Sequence, residues 1–201
     1  MKIFLIASGI ALVIFLAFQV TMFMASKKSE SQPYQVMRED NEFQIRYYPA
    51  SIQAKIKSGS RSYREVGYSG FGKLATYIFG GNVGKVQIGM TSPVHIEIGD
   101  SASTMAFVMP GTFNRDNLPK PTNAEIMIED VEAGFVASVE FGGFATASCI
   151  EHQKKALQSY LQQNGFSHYG HFKLLGYNPP YQILGRRNEV IISIHEKSLY
   201  K

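Results

Sequence analysis

Histidine and cysteine are the residue types that most readily bind metals, shuttle protons or act as nucleophiles, and this chain of 201 residues has five of the first and one of the second. His168 and His171 stand three apart in SHYGHF, a spacing that can bring two ring nitrogens to one metal. No third ligand accompanies them and a helix stop precedes them, so a surface loop is expected. His95 and His195 each fall in an alternating apolar stretch, where an imidazole is either a satisfied core group or an axial metal ligand. His152 has no partner at ligand spacing. Cys149 lies near a helix start, where the macrodipole lowers a thiol pKa. No nucleophile motif surrounds it, and a small packed residue is the simpler reading. There is no G-x-S-x-G, no Walker loop and no H-E-x-x-H, and the glycines of YSGFG and FGGNVG miss G-x-G-x-x-G. Catalysis has no support in the sequence.

Charge is more informative. The net charge is only +4, and no run of five or six Lys/Arg marks a nucleic-acid surface. Between Gln44 and Ile96, however, Arg46, Lys55, Lys57, Arg61, Arg64, Lys73 and Lys85 face Glu65 alone, a local +6. Such clustering suits an anionic ligand carrying carboxylates or phosphates. A solvated basic face, lying near anionic lipid, is the alternative.

The elements that must position these residues are legible from periodicity. Phe43, Ile45 and Tyr47, then Ile52, Ala54 and Ile56, alternate with polar residues as a half-buried strand bent at Pro49. Ser62 to Phe79 has helical spacing and stops at Gly80-Gly81. Val94–Ile98 and Met105–Met109 read as a hairpin, followed by a polar loop from Gly111 to Pro121. Residues 124–145 supply a strand pair. Ser148-Cys149-Ile150-Glu151 reads as a capping box for a second helix, which ends at Asn164-Gly165. Tyr181–Leu184 and Val190–Ile194 read as a last hairpin. Strand, helix, hairpin thus occurs twice, with Pro93 and Pro179, 86 residues apart, each before a hairpin. This predicts an α+β fold of two pseudo-repeated βαββ halves, closing into a distorted antiparallel barrel with two flanking helices. A helix-to-sheet groove would be its ligand cleft.

The N-terminus reads differently. Ile3 to Ser26 is an uncharged, 24-residue apolar run, about 36 Å long as a helix. Residues 1–26 are therefore expected to be an uncleaved single-pass membrane anchor, since Phe23 spoils a small-x-small signal cleavage site. A cleaved signal and a buried helix are the alternatives. The Met-Lys start resembles a bacterial export signal, which places the domain outward, periplasmic or extracytoplasmic. Residues 27–40 read as a polar linker, 41–196 as the folded domain and 197–201 as a tail.

Several phrases occur in order along the domain: FQIRYYPASIQA, YIFGGN, IGMTSPV, MAFVMP, FGGFA, YNPPY and RRNEV. Together they resemble the SOUL heme-binding protein family from Phe43 to Ile194. Their most specific parts are Met90 to Val94, Phe107 to Pro110 and Tyr177 to Pro180. The resemblance implies the same barrel-like α+β fold and a bound heme or other tetrapyrrole, held in an apolar groove near the first helix with basic residues on the propionates. It places Lys73 and Tyr77 on that helix, with Ile78 and Met90 as apolar contacts. Charge adds Arg61, Arg64 and Lys85. Tyr181 stands where many members have tryptophan, and no histidine here matches the ligand proposed in some animal members, so packing and propionate pairing are expected in place of strong axial ligation. The expected function is a membrane-tethered tetrapyrrole-binding protein that buffers, carries or senses its ligand without a catalytic step. No nucleic-acid partner is expected. The alternatives are a small-molecule effector module of the GyrI-like type and a tetrapyrrole-modifying enzyme.

Overall fold

Strand alternation and helical spacing set the element order, and the computed structural model describes the backbone of residues 2–100 and 102–199; within the first helix it describes the side chains of 6, 8–21, 23 and 24 only. The elements are α1 (Lys2–Lys28), β1 (Glu30–Ser31), β2 (Gln35–Asp40), β3 (Phe43–Tyr48), β4 (Ser51–Ser58), α2 (Tyr63–Ile78), β5 (Thr91–Ser92), β6 (Val94–Ile98), β7 (Ser103–Val108), β8 (Ile126–Val131), β9 (Gly134–Gly142), α3 (Ala147–Gln163), β10 (His168–Gly176) and β11 (Arg187–Ile194).

Nine strands form one antiparallel sheet in the order β2-β3-β9-β11-β10-β6-β7-β4-β8, and β1 pairs with β5 in parallel beside it. The order is nearly a palindrome. One half is β4, α2, β6 and β7; the other is β9, α3, β10 and β11; β6 and β10 join them, with Ile96 opposite Leu174. Each half lends a strand to the other, because β3 pairs with β9 and β8 pairs with β4. The strand order thus runs alike in the two halves, and four readings of the plan are corrected. The sheet does not close as a barrel but ends at β2 and β8. The strand bent at Pro49 is two strands, β3 and β4, sent to opposite halves. The last hairpin is β10 with β11, so SHYGHF opens a strand instead of a loop, and Pro179 lies between the hairpin's strands whereas Pro93 precedes its own. Residues 124–145 likewise yield β8 and β9, which go to different neighbours.

Each helix covers its own core. Between α3 and the sheet pack Ile45, Val139, Leu157, Leu161, Val190 and Ile192. Between α2 and the sheet pack Ile56, Val66, Leu74, Tyr77, Ile78 and Phe107. Ser62 caps α2 by accepting from the Glu65 N–H, and Thr146, two residues earlier than the expected Ser148, caps α3 by accepting from Cys149 N–H at 3.2 Å. Gly70 lets α2 approach the sheet: a Cβ there would lie 2.9 Å from Met105 Sδ and 3.2 Å from Ile56 Cγ2. Gly70→Ala is expected to cost about 1–3 kcal/mol by overpacking, despite alanine's better helix propensity. A urea midpoint that rises would show that Met105 gives way freely.

The N-terminal expectations change most. Residues 30–40 are woven into the domain through β1 and β2, and Gln32 is buried. The tail is pinned too, since Ser198 Oγ accepts from Ser167 N–H at 3.1 Å. α1 is helical, yet among the described residues no helix is long and apolar enough to cross a membrane. Residues 8–21 are the longest continuous run of α1 whose side chains are described. Within that run the Gln19 amide is buried on the domain, donating to Tyr181 O at 3.2 Å and accepting from Ile183 N–H at 2.9 Å. The single-pass anchor, and the outward placement that depended on it, are thereby overturned.

Candidate functional site

The groove expected near the first helix of the domain centres on α2. Helical geometry of about 100° per residue puts Val66, Gly70, Leu74 and Tyr77 on one face, and Arg64, Tyr68, Gly72, Ala75 and Phe79 on the opposite one. The first set is buried; Tyr68 and Phe79 are 71% and 59% exposed, and a Cβ on Gly72 would meet open space. Lys73 lies on the flank toward β4. There a cleft of about 200 Å³ is lined by Ile56, Lys57, Ser58, Ser69, Gly70 and Lys73. Typical small-molecule pockets measure roughly 300–1,000 Å³, so this cleft takes one arm of a ligand and not a whole macrocycle.

The site residues named from the sequence distribute unevenly around it. Lys73 is exposed and ion-paired with Glu125. Tyr77 and Ile78 are 1% exposed. The Tyr77 hydroxyl donates to Pro119 O at 2.8 Å, and burial pushes its pKa up to about 12. Both side chains fix α2 onto the sheet. Met90 is half-buried against the same core. Arg61, at the helix entry, donates to Asp100 O at 2.6 Å; Arg64 lies 5.8 Å from the Tyr68 ring centroid; Lys85 is exposed on the turn after α2, with a φ of 53°. Beside Lys85, Val83 and Val86 are also exposed.

The local +6 is reduced by acids of the other half. Lys55 pairs with Glu129, Lys73 with Glu125, and Arg46 with Glu189. The last pair forms a buried cluster that sequence reasoning missed. Arg46 Nη1 and Nη2 donate to the two Glu189 oxygens at 2.7 and 3.2 Å, and Arg187 Nη2 donates to the same carboxylate at 2.6 Å. Burial opposes the charge on Arg46, but the Glu189 carboxylate outweighs it and raises the guanidinium pKa. The available signal was Glu189 itself, an acid beside the apolar run of Val190 to Ile194.

The histidines do not gather at one place. His168 and His171 are exposed on β10, and among the described residues no group of three or more His, Cys, Asp or Glu could hold a metal. His95 is buried, its Nε2 is 2.8 Å from Gln32 Oε1, and burial with Lys173 and Lys55 nearby pushes its pKa down to about 3. His195, just past β11, lies against Tyr169 with ring centroids 4.6 Å apart. Cys149 is half-buried against the α3 core.

An open antiparallel sheet in two exchanged halves, with a basic cleft beside one helix, defines a ligand-binding α+β domain. The chain belongs to the SOUL heme-binding protein family, whose model matches residues 29–193. It is 31% identical to heme-binding protein 1 of Xenopus laevis over 156 residues, covering 74% of this chain and 81% of that one. It is 31% identical to human heme-binding protein 2 over 157 residues, covering 74% and 76%. These relatives are animal proteins and lend no support to the bacterial source expected from the Met-Lys start. In fold, a crystal structure of the EcmrR C-terminal domain superposes with a TM-score of 0.59 at 10% identity, covering 81% of this chain and 98% of that one. A hydrolase from Listeria innocua follows at 0.53 and 8% identity, covering 79% and 94%. At such identities the likeness is one of fold alone.

Proposed function

We propose that the chain binds heme, or a closely related tetrapyrrole dicarboxylate, on the open surface flanking α2, and that it buffers, carries or senses this ligand without transforming it. The observation that carries the reading is the cleft between β4 and α2, where Lys57 and Lys73 stand with Ser58 and Ser69 around a space the size of a carboxylate arm. Charge-assisted hydrogen bonds would hold a propionate there. The macrocycle would lie outside, against the exposed apolar surface that includes Tyr68, Phe79, Val83 and Val86, with Arg64 and Lys85 at its margin. Tyr77 and Ile78 set the position of α2 and Met90 backs it. Surface packing needs no axial ligand, so the iron-free ring should bind as well.

The test is a hemin titration of the full chain by absorbance, with albumin as competitor and protoporphyrin IX alongside. Saturable one-to-one binding of both is expected. Replacing Lys57 and Lys73 together by alanine should weaken hemin about tenfold at low salt. That difference should shrink toward 1 M salt, where screening cuts electrostatic reach to about 3 Å. Hemin affinity that is indifferent to both lysines would remove the cleft from the reading, and binding of hemin without protoporphyrin would require an iron ligand.

A further inference from the structure

A second cleft, of about 260 Å³, lies away from α2, where β1 crosses the start of β4 and the end of β7. Three of the stretches that carry the family resemblance meet there, through residues other than those placed at the α2 surface. Ser51 and Ile52 come from YYPASIQA, Thr91 from MTSPV, and Val108 and Met109 from FVMP. The walls are held by hydrogen bonds: Met109 N–H donates to Ile52 O at 2.8 Å, Thr91 Oγ1 donates to Val108 O, and Gln32 N–H donates to Ser92 O at 2.8 Å. The cleft is thus preformed and mainly apolar.

Two polar features break that apolar lining. Ser51 Oγ is buried and has no hydrogen-bond partner, which leaves a desolvated hydroxyl for a ligand to satisfy. Glu30 is the only charged residue in the lining. One of its oxygens accepts from Gly111 N–H at 2.9 Å, which fixes the carboxylate at the rim with acceptor capacity to spare. An apolar cavity of about 150 Å³ admits benzene, so this one has room for a single ring and a short arm.

We infer that this cleft is a binding site for a small amphipathic amine, an aryl or short alkyl body ending in a protonated nitrogen. The body packs on Ile52, Val108 and Met109, and the ammonium donates to Glu30 and Ser51. A carboxylate in the same place would meet Glu30 head-on, so the site selects by charge against the kind of ligand proposed for α2.

The test is methyl NMR of the full chain titrated with 2-phenylethylamine, 2-phenylethanol and 3-phenylpropionate. The amine should shift the Ile52, Val108 and Met109 signals saturably, the alcohol should bind about tenfold more weakly, and the acid should not bind. Glu30→Gln should reduce amine affinity to that of the alcohol. Ala50→Trp, which fills the cleft from an exposed position, should abolish binding with the thermal midpoint unchanged. Equal binding of amine and acid, shifts confined to other methyls, or amine binding that survives Ala50→Trp would each overturn the proposal. Displacement of the amine by hemin would overturn it as a separate site.

Discussion

Glu189→Ala is expected to lower the unfolding free energy by about 3–5 kcal/mol, the loss typical of removing one partner from a buried ion pair. Glu189 is 0% exposed and Arg46 2%, so water cannot replace the lost carboxylate. Two guanidiniums share it, and without it Arg46 would lose its carboxylate partner, whereas Arg187 would keep Glu140 at 2.9 Å. The neighbouring phenols offer no substitute. Burial and the Glu189 charge push Tyr48 up to about 12 and Tyr177 higher still, so both are neutral at physiological pH. Arg46 would keep only the Tyr34 ring, 4.2 Å from its guanidinium carbon to the centroid, its link to Gln44 at 2.8 Å, and a weak one to Tyr48 at 3.4 Å. Urea unfolding measures the loss directly. The paired change Arg46→Met with Glu189→Leu should recover much of it, because neither charge is then stranded. A single-variant loss under about 1 kcal/mol would mean that the pair is as hydrated as a surface bridge.

The second large effect is a loss of stability in acid that traces to His95. The sign follows from the direction of its shift. The unfolded imidazole takes its proton near 6.5, whereas the folded one resists until about 3, so between these values the unfolded state binds more protons and gains on the native state. The stabilisation is present in full above pH 6.5 and is lost as pH falls toward 3. At about 1.4 kcal/mol per unit the ceiling is about 5 kcal/mol. Burial is the main cause, and the Lys173 and Lys55 ammoniums add repulsion. His95→Gln should be less stable than the natural chain at pH 7, where the Gln32 contact is disturbed, but its urea midpoint should fall much less between pH 6.5 and 4. Parallel declines in the two proteins would assign the acid sensitivity to other groups.

The elements that the sequence reveals are those whose signal is local. Both domain helices follow from spacing and from stops at Gly80 and Asn164-Gly165, and the hairpin of β6 and β7 follows from alternation around a tight turn. What sequence hides is partnership. Nothing in residues 43–56 says that a chain running through Pro49 parts company with itself, one strand joining β9 and the next joining β7. β10 escaped because its first four residues, His168 to His171, are exposed and polar and include Gly170 at a φ of 74°, so no alternation marks them. The candidate site shows the same division. A basic cluster was visible as composition, but which cations remain available depended on acids more than fifty residues away, such as Glu125 for Lys73. Tyr77 and Ile78 carried the family resemblance while facing inward, because a motif records residue type and not the side of the helix it occupies.

The exchanged strands also bear on how the chain is made. β3 leaves the ribosome roughly 90 residues before β9, the partner it pairs with from Phe43 opposite Val139 to Tyr48 opposite Gly134. At about 5–20 residues per second, that is a wait on the order of 5–20 s with one edge of an apolar strand unpaired. Only β2, its neighbour in sequence, can form with it at once, and β2 ends in Arg38, Glu39 and Asp40, charges of the kind that discourage pairing with foreign strands. The reciprocal debt falls on β4, which waits for β8. Neither half can finish folding before the other has been synthesised, so a nascent chain halted between β7 and β8 is a natural substrate for chaperones, and a gene split at that point would not yield two stable pieces.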